Sequence, residues 1–594
     1  MSIIFLFSYI FLLLSKKILS LNQESQLLTG KIISSDDISE NTLNAFDNKI
    51  GTSFKSSYDK WWIGLDLLDE HYITKIGWAQ NNEDKSNYLL GIFEGSNNET
   101  FYDAFPLYMI KEEGKINEMN YVDIYTTKPF RYIRYVGPIN KSCIISEIEI
   151  YGYNNQTDIL GFINNEENYY YQPTNIPLLV IHTDNPRDYT ETTYEFDCNA
   201  YIINNNKIEA SGKANRRFRG NISINFQKKS YRFKFLEEKK NFLNFPSKAK
   251  SWVLLANHGD KTLIRNLLAL EISRLFEMKF TVNCKSIDFM CNGEYLGNYI
   301  ICEKIEVKKD RINISKINES CINYPDITGG YILEVDSYAE LEGSRIYSSK
   351  YNFITIKYPD EKDIVPEQHL YIESQFNEML RKLFKNDLSK IDINSFAKYF
   401  LIQEYTANLD AYWSIRMYKD KNDDKFYFGP VWDFDLALDN DGRIYPINKK
   451  NQFIFEYEYT RGATAKFIEK ILIDKNVIKT IKNLWKKTFE NKLKDNYLIK
   501  YIDELVKNIN ESQRLNFIRW DILDKDIGIA THVVKYSYEN ETIFLKNFVG
   551  NRTEWMNKYI LEDKLYNRYI NNVSKFINNR SILIIILIVM ILFK

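Results

Sequence analysis

The spacing of apolar residues changes along the chain, and this change constrains the fold more than any other feature. Between Leu27 and Tyr153, short stretches alternate apolar and polar residues and are separated by turn residues, as in 62–67 and 144–151. Alternation with period two predicts β-strands, and many short strands predict a sandwich. After Gln368 the apolar residues follow helical spacing. The sequence therefore predicts a multidomain chain: an N-terminal β-sandwich, then an α+β fold with a helical C-terminal lobe.

An Asn- and Glu-rich stretch near 158–171 separates the two parts. Beyond it, apolar stretches at 177–183, 231–235, 286–290 and 299–302 predict strands. Helices are predicted at 263–276, 370–384, 393–409 and 467–491.

Charge and metal-binding residues exclude several classes of protein. Lys and Arg number 78 and Asp and Glu 79, so the net charge of -1 argues against a dedicated nucleic-acid binder. The five His are far apart, which argues against a His-rich zinc centre. Four of the six Cys lie between Cys284 and Cys321 without a Cys-x-x-Cys pair. One or two local disulfides are expected in an oxidising compartment, and buried thiols are the alternative.

Both ends of the chain carry apolar runs of twelve residues, at 3–14 and 582–593. Each is too short to span a bilayer. The first predicts a signal peptide, assigned to 1–20, with a buried N-terminal element as the alternative. The second, with the polar residues before it, predicts a glycolipid-anchor signal at 571–594, with a tail that dips into the membrane as the alternative. With sequons such as Asn98 and Asn551, these ends favour a secreted or surface-anchored glycoprotein.

The alternating stretches also carry a specific pattern. The segments 44–48, 52–57, 62–67, 73–76, 131–135 and 147–152 resemble the discoidin (coagulation-factor C-type, galactose-binding-like) domain, assigned to 26–153. The resemblance implies a jelly roll that binds a glycan or a lipid head group through loops at one end. Trp61 and Tyr88 are candidate loop residues, with packing in the core as the alternative.

Two acidic clusters are the first candidates for chemistry. Asp410 is predicted at a helix end, and Asp433 and Asp435 follow a Phe-Gly-Pro turn. Carboxylates among Trp and Phe side chains need hydrogen bonds or a cation to offset burial. Hard oxygen ligands of this kind suit Mg²⁺ that carries phosphates.

A basic stretch precedes these acids. It contains Arg216, Arg217, Arg219 and Gly220, followed by four cations between Lys228 and Lys234. Backbone amides at Gly220 and the cationic side chains are suited to hold phosphate oxygens. Phosphate-binding cations with metal-binding acids are the arrangement used for phosphoryl transfer.

Together the motifs resemble the spore-coat CotH kinase family, over a domain assigned to 172–562. The matching segments are 218–221, 228–234, 252–257, 263–266, 292–299, 303–304, 329–334, 404–410 and 427–435. The resemblance implies an atypical kinase fold that binds ATP with Mg²⁺ or Mn²⁺ and phosphorylates serine, with threonine as the alternative, on protein partners.

The resemblance also implies roles for individual residues. Asp410 is the catalytic base, and Asp433, with Asp435, binds the metal. Arg219, Gly220 and a lysine of 228–234 face the phosphates. Lys229 or Lys234 pairs with Glu303, as in the lysine–glutamate pair of kinases.

One position departs from the family pattern. Ile415 stands where members usually carry a second, Asn-type metal ligand, so Ser414, Asp435 or Asp439 would have to replace it. The sequon at Asn221 lies in the proposed phosphate loop, and we expect it to carry no glycan. Two functions therefore remain open: an active surface kinase, or a catalytically silent surface adhesin with a kinase-like fold. A glycosidase using Asp410 and Asp433 is a third reading, which depends on their separation.

Overall fold

The computed structural model describes residues 25–35, 38–59, 62–81, 84–124, 126, 128–138, 142–154, 170–183, 195–220, 223–336, 343–346, 354–447, 451–457, 463–528, 530 and 533–571. The predicted signal peptide, the predicted anchor, Trp61 and Asn221 lie outside these residues. Among the described helices, none is both long and apolar enough to span a membrane.

The described chain forms two compact units. The first contains residues up to Ala256 together with Ser286–Ile301 and Asn508–Asp521. The second contains Asn257–Lys285, Cys302–Lys507 and the residues from Ile522 onward. The boundary predicted between residues 153 and 172 lies mostly in a stretch that the structure does not describe.

The first unit begins with ten strands. They are β1 (Gln26–Leu27), β2 (Lys31–Ser34), β3 (Phe54–Asp59), β4 (Trp62–Ala79), β5 (Ile92–Ser96), β6 (Phe105–Met109), β7 (Met119–Asp123), β8 (Phe130–Val136), β9 (Ser142–Ile145) and β10 (Glu147–Asn154). Eight form one sheet in which β4 pairs with β2, β7, β8 and β10, and β3 pairs with β9. The predicted β-sandwich is confirmed. Tyr88 is 3% exposed and packs against Trp78, so it belongs to the core and is not a loop-tip ligand residue.

Seven further strands of this unit close into a barrel. They are β11 (Leu178–His182), β12 (Phe196–Asn204), β13 (Lys207–Arg219), β14 (Ser230–Phe235), β15 (Ser251–Leu255), β16 (Cys284–Cys291) and β17 (Glu294–Glu303). The order is β11-β12-β13-β14-β15-β17-β16, and β16 closes on β11 in parallel. Alternate side chains, among them Phe218, Phe233 and Trp252, fill its interior.

One hydrophobic core joins the sandwich to the barrel within the first unit. It contains sandwich residues such as Phe93 and Tyr135 together with Val180, Met290 and Leu515. Leu515 lies on the helix Asn510–Arg519 and is fully buried. The sandwich is therefore packed into the same unit as the barrel.

The second unit is built from helices around a small sheet. The sheet comprises β18 (Tyr331–Asp336), β19 (Arg345–Ile346), β20 (Ile354–Tyr358), β21 (Ser414–Lys419) and β22 (Tyr427–Phe428), in the order β19-β20-β18-β21-β22. Its helices are Arg265–Leu275, Pro366–Phe384, Ile393–Thr406, Ala463–Leu472, Lys475–Thr488, Tyr497–Asn508, Tyr538–Leu561 and Lys564–Tyr566. The predicted helical C-terminal lobe is confirmed. Cys284 and Cys302 form one disulfide, as expected for the local cysteines.

The helix predicted over 467–491 is two helices. The first ends at Leu472, and Asp474 starts the second by accepting hydrogen bonds from the backbone N–H groups of Asn476 and Val477. The cap satisfies donors that a new helix start leaves free. Apolar spacing continues across the break, which is why the pattern alone did not show it.

Candidate active site

Asp410 lies just after a helix that ends at a left-handed residue. The helix Ile393–Thr406 stops at Ala407, whose φ is 50°, and the chain continues into a short 3₁₀ turn, Leu409–Tyr412. This places Asp410 at the surface, with its side chain 42% exposed. Arg443 Nη2 donates to Asp410 Oδ1 at 2.6 Å. The predicted helix-end position of Asp410 is confirmed.

Three asparagine side chains hold the backbone of Asp433, Phe434 and Asp435. Asn408 Nδ2 donates to the Asp433 carbonyl at 3.1 Å, and the Phe434 N–H donates to Asn266 Oδ1 at 2.9 Å. Asn440 Nδ2 donates to the Asp435 carbonyl at 2.7 Å. These bonds fix a segment whose first residue has a φ of 62°, a conformation that non-glycine residues adopt at a cost.

The carboxylate of Asp435 lies in a strongly acidic environment. Burial holds its pKa well above the usual range, and repulsion from Asp433, Asp410 and Asp260 raises the pKa further. Four carboxylates are thus close enough to interact. A bound cation would relieve this repulsion.

Asp260 is held rigidly within this group. It is fully buried, and its Oδ1 accepts from Arg265 Nη1 at 2.5 Å and from Thr262 Oγ1 at 2.6 Å. Its Oδ2 accepts from the Arg265 backbone N–H at 2.8 Å. These bonds hold the Asp260 carboxyl group in a fixed position.

The donor chemistry fits magnesium. Asp433 is exposed and Asp435 partly buried, and both carry oxygen ligands. No group of three or more His, Cys, Asp or Glu in the described ranges is arranged to hold a metal ion. Mg²⁺ commonly takes one or two protein carboxylates and fills its other positions with water and nucleotide phosphates. Asp433 and Asp435 therefore fit a magnesium–nucleotide complex better than a resident protein-enclosed metal.

Ile415 faces the hydrophobic core. It lies in β21 opposite Val335 and is fully buried. Of its suggested replacements, Ser414 hydrogen-bonds to Glu334, and Asp439 accepts the Ile447 N–H at 2.8 Å. Ile415 is therefore a core residue that offers no ligand atom to a metal.

Four basic residues of the first unit lie on one face of the hairpin formed by β13 and β14. Arg217 pairs directly with Arg232, Arg219 with Ser230, and Asn215 with Lys234. Directly opposed residues share a face of the sheet, so Arg217, Arg219, Arg232 and Lys234 form a basic strand face. A hydrogen bond from Asn215 and the nearby Arg217, Arg232 and Lys234 lower the pKa of the Glu195 carboxyl, so one acid of the chain already lies beside this face.

Gly220 begins the loop between these two strands. Its φ is 108°, and a Cβ there would lie 2.0 Å from Ser223 Oγ. A side chain is therefore excluded on both backbone and steric grounds.

The two lysines at the end of this loop have structural partners. Lys228 is 2% exposed and donates to Asn516 Oδ1 at 2.8 Å. Lys229 donates to the carbonyl oxygens of Ile224 and Phe226 at 2.7 and 2.9 Å. Lys229 therefore braces its own loop, while Lys234 is exposed.

Glu303 has a different cationic neighbour from the predicted lysine. Its Oε2 accepts from Asn283 Nδ2 at 2.8 Å, and its Oε1 lies 3.9 Å from Arg311 Nε. Its pairing with Lys229 or Lys234 stays a prediction.

Several residues of the acidic site were not predicted as functional. They are Asp260, Arg265, Asn266, Asn408, Asn440, Asp441 and Arg443. Asn266 and Asn408 lie in the segments 263–266 and 404–410, which resemble the CotH family. That resemblance was the sequence signal that could have identified them as functional. Asp441 and Arg443 follow in a turn without such a pattern.

Comparisons with known proteins are consistent with both halves of the chain. A family described as CotH kinase protein matches residues 217–556. A search of curated proteins found no match.

Solved carbohydrate-binding modules resemble the N-terminal region. CBM62 from Clostridium thermocellum Xyl5A is 29% identical and covers 22% of this chain and 98% of its own, with a TM-score of 0.21. CpGH89CBM32-6 from Clostridium perfringens is 18% identical and covers 21% of this chain and 93% of its own, with a TM-score of 0.18. CpGH89CBM32-5 from Clostridium perfringens, in complex with GalNAc-beta-1,3-galactose, is 13% identical and covers 21% and 99%, with a TM-score of 0.19.

Proposed function

The chain belongs to the CotH kinase family, and from this premise we propose that it transfers the γ-phosphate of ATP to a serine hydroxyl of a protein partner. The observation that carries the proposal is the acidic site of the second unit. A half-exposed carboxylate, Asp410, acts electrostatically on the same buried Asp435 as Asp433 does. Phosphoryl transfer uses one carboxylate that accepts a proton and two that bind a cation.

Asp410 has the role of general base in this proposal. Its side chain is accessible to an acceptor hydroxyl, and it sits on a turn fixed by the preceding helix. A base of this kind must reach within hydrogen-bond distance of the hydroxyl proton. The 3₁₀ turn and the bond from Asn408 to Asp433 keep the base at a fixed place relative to the metal-binding segment.

Asp433 and Asp435 would hold Mg²⁺ or Mn²⁺ that enters with ATP. When bound, the ion neutralises charge on the phosphate oxygens. Asn408 and Asn440 donate to the backbone carbonyls of these two acids, and Asn266 accepts the N–H of Phe434 between them.

The basic strand face of the first unit carries side chains of the kind that bind phosphate oxygens. Arg219 and Lys234 are on this face, as their proposed role requires. Guanidinium groups bind phosphate oxygens in pairs of hydrogen bonds. Lys229 is assigned instead to bracing the loop after Gly220.

An exposed aromatic ring adjoins the base. Trp413 is 46% exposed, and its backbone N–H donates to the Asp410 carbonyl. Tryptophan is enriched among the residues that contribute most of the binding energy at protein interfaces. This supports a protein acceptor.

We also propose that the protein works in the secretory pathway or at the cell surface, as its terminal segments and sequons favour.

The direct test is phosphate transfer from γ-labelled ATP in Mg²⁺ or Mn²⁺ by the purified protein, with mass-spectrometric mapping of labelled residues. We expect label on serine that disappears when the metal is chelated. Absence of label with either metal, on the protein itself and on added acceptor proteins, would contradict the kinase and favour the silent adhesin.

A further inference from the structure

Arg443 connects the proposed base to a second, buried carboxylate. Its Nη2 donates to Asp410 Oδ1 at 2.6 Å and to Asp441 Oδ2 at 2.5 Å. Its Nε donates to Asp441 Oδ1 at 2.8 Å. One guanidinium thus bridges a half-exposed acid and an acid that is 1% exposed.

Asp441 fixes the position of this guanidinium. The Arg443 backbone N–H also donates to Asp441 Oδ1, at 2.9 Å. Arg443 cannot swing away without leaving the buried Asp441 carboxylate short of donors, which is unfavourable. Planar, two-pronged bonding further restricts its orientation.

The contact with Arg443 makes the two carboxylate oxygens of Asp410 differ in their hydrogen bonding. Within the part of the chain that the structure describes, Arg443 is the one hydrogen-bond donor to this carboxylate, and it contacts Oδ1. Oδ2 is left for another partner. Because the side chain is half-exposed, a hydroxyl from outside can approach it.

We infer that Arg443 is a positioning residue for phosphate transfer: by holding Asp410 Oδ1, it presents Oδ2 to the acceptor hydroxyl. This inference rests on the proposed function. In the step, the acceptor oxygen forms a bond to the γ-phosphorus, and the bond from that phosphorus to the β,γ-bridging oxygen breaks. The hydroxyl proton passes to Asp410 Oδ2, and the bridging oxygen leaves as part of ADP.

The test compares steady-state kinetics of the wild type, Arg443→Met and Arg443→Lys in the full-length protein. We expect Arg443→Met to lower kcat by about 10- to 100-fold, because misplacing a reacting group by about 1 Å has effects of this size. KM for ATP should change less than about threefold, since Arg443 contacts the base and not the proposed nucleotide groups. Arg443→Lys keeps a cation and should recover part of the loss.

Arg274→Met is the matched control. Arg274 is a half-exposed arginine of the same unit whose ion-pair partner is Glu271. It should retain wild-type kcat. An unchanged kcat in Arg443→Met, or a loss matched by an equal rise in KM for ATP, would overturn the inference.

A double-mutant cycle gives a second readout that needs no activity. Melting temperatures of Arg443→Met, Asp410→Asn and the double variant should be non-additive, with the double variant losing less than the sum of the single losses. Additive losses would contradict the contact.

If the wild type transfers phosphate and Arg443→Met does so equally well, only this inference fails. If the wild type transfers none while the cycle shows coupling, the proposed function fails and the positioning role falls with it.

Discussion

Asn408 donates its side-chain amide to the backbone carbonyl of Asp433 across 3.1 Å. Asn408 is two residues before the proposed base, and Asp433 is the proposed main metal ligand. Since Asn408 is 1% exposed, solvent does not compete for this bond. A single buried hydrogen bond therefore sets the spacing between the two functional segments of the acidic site.

Removing this bond should impair transfer more than folding. We expect Asn408→Ala to reduce kcat at least about tenfold, because the Asp433 segment loses its anchor to the base. Loss of a buried hydrogen bond should lower the free energy of unfolding by about 1–2 kcal/mol. Phosphate-transfer rates and urea unfolding measure the two effects. The control is Asn41→Ala, which removes an exposed amide-to-carbonyl bond and should leave kcat unchanged.

The loop after β13 should require glycine at position 220. Gly220→Ala places a Cβ against Ser223 in a backbone conformation that alanine disfavours, so the loop must shift. We expect KM for ATP to rise about tenfold. Gly528→Ala introduces a side chain at another positive φ, where nothing lies within 4 Å, and should not affect KM. Equal KM values for both variants would argue against a phosphate-binding role for this loop.

The stability of the first unit should decrease with rising pH because of Asp288. Burial raises the pKa of this fully buried carboxyl to about 6, although Ser512, Thr174 and Tyr295 donate to it. An unfolded aspartic acid titrates near 3.9, so the folded state binds the proton more tightly between those values. The free energy of unfolding should thus fall by roughly 2–3 kcal/mol from about pH 4 to above 6.

Unfolding measurements from pH 4 to 8 check this slope. Asp288→Asn cannot ionise and should flatten this part of the profile. The exposed Asp495→Asn should leave the slope as in the wild type. A profile unchanged by Asp288→Asn would contradict the assignment.

The shared core predicts that sandwich and barrel unfold together. Leu515→Ala removes a fully buried side chain from that core and should cost about 2–5 kcal/mol. Ile518→Ala, on the same helix but 37% exposed, should cost far less. Fluorescence from tryptophans placed separately in the sandwich and the barrel should report one transition. Two separated transitions would show that the sandwich folds independently.

The sequence predicted the parts of the site that local patterns encode. Alternation defined the strands, and the turn before Asp433 defined the second acidic segment. Asp410 was correctly placed at a helix end because apolar spacing stops there. Helical spacing did not reveal the cap at Asp474, since both helices bury the same kind of residue on either side of it.

Contacts between distant residues were not predictable in this way. Lys229 looks like any other phosphate-binding cation in the sequence, yet its ammonium group bonds to carbonyls of its own loop. Arg443 acquires its role only because folding brings its turn to Asp410. The burial of Ile415 was likewise not evident from its local pattern, and its place at a position where the CotH family usually has a metal ligand stays a prediction.

The most direct test measures nucleotide binding and phosphate transfer separately in two variants. Each variant replaces one Asp with Asn and so removes one carboxylate. Asp410→Asn and Asp433→Asn are compared with the wild type for thermal stabilisation by Mg²⁺–ATP and for transfer of labelled γ-phosphate. A ligand that binds the native state stabilises it by RT ln(1 + [L]/Kd), so tighter binding gives a higher melting temperature. We expect Mg²⁺–ATP to stabilise Asp410→Asn as much as the wild type, although this variant transfers no phosphate. We expect Asp433→Asn to lose both the stabilisation and the transfer. Wild-type transfer by Asp410→Asn, or undiminished stabilisation of Asp433→Asn, would contradict the assigned roles.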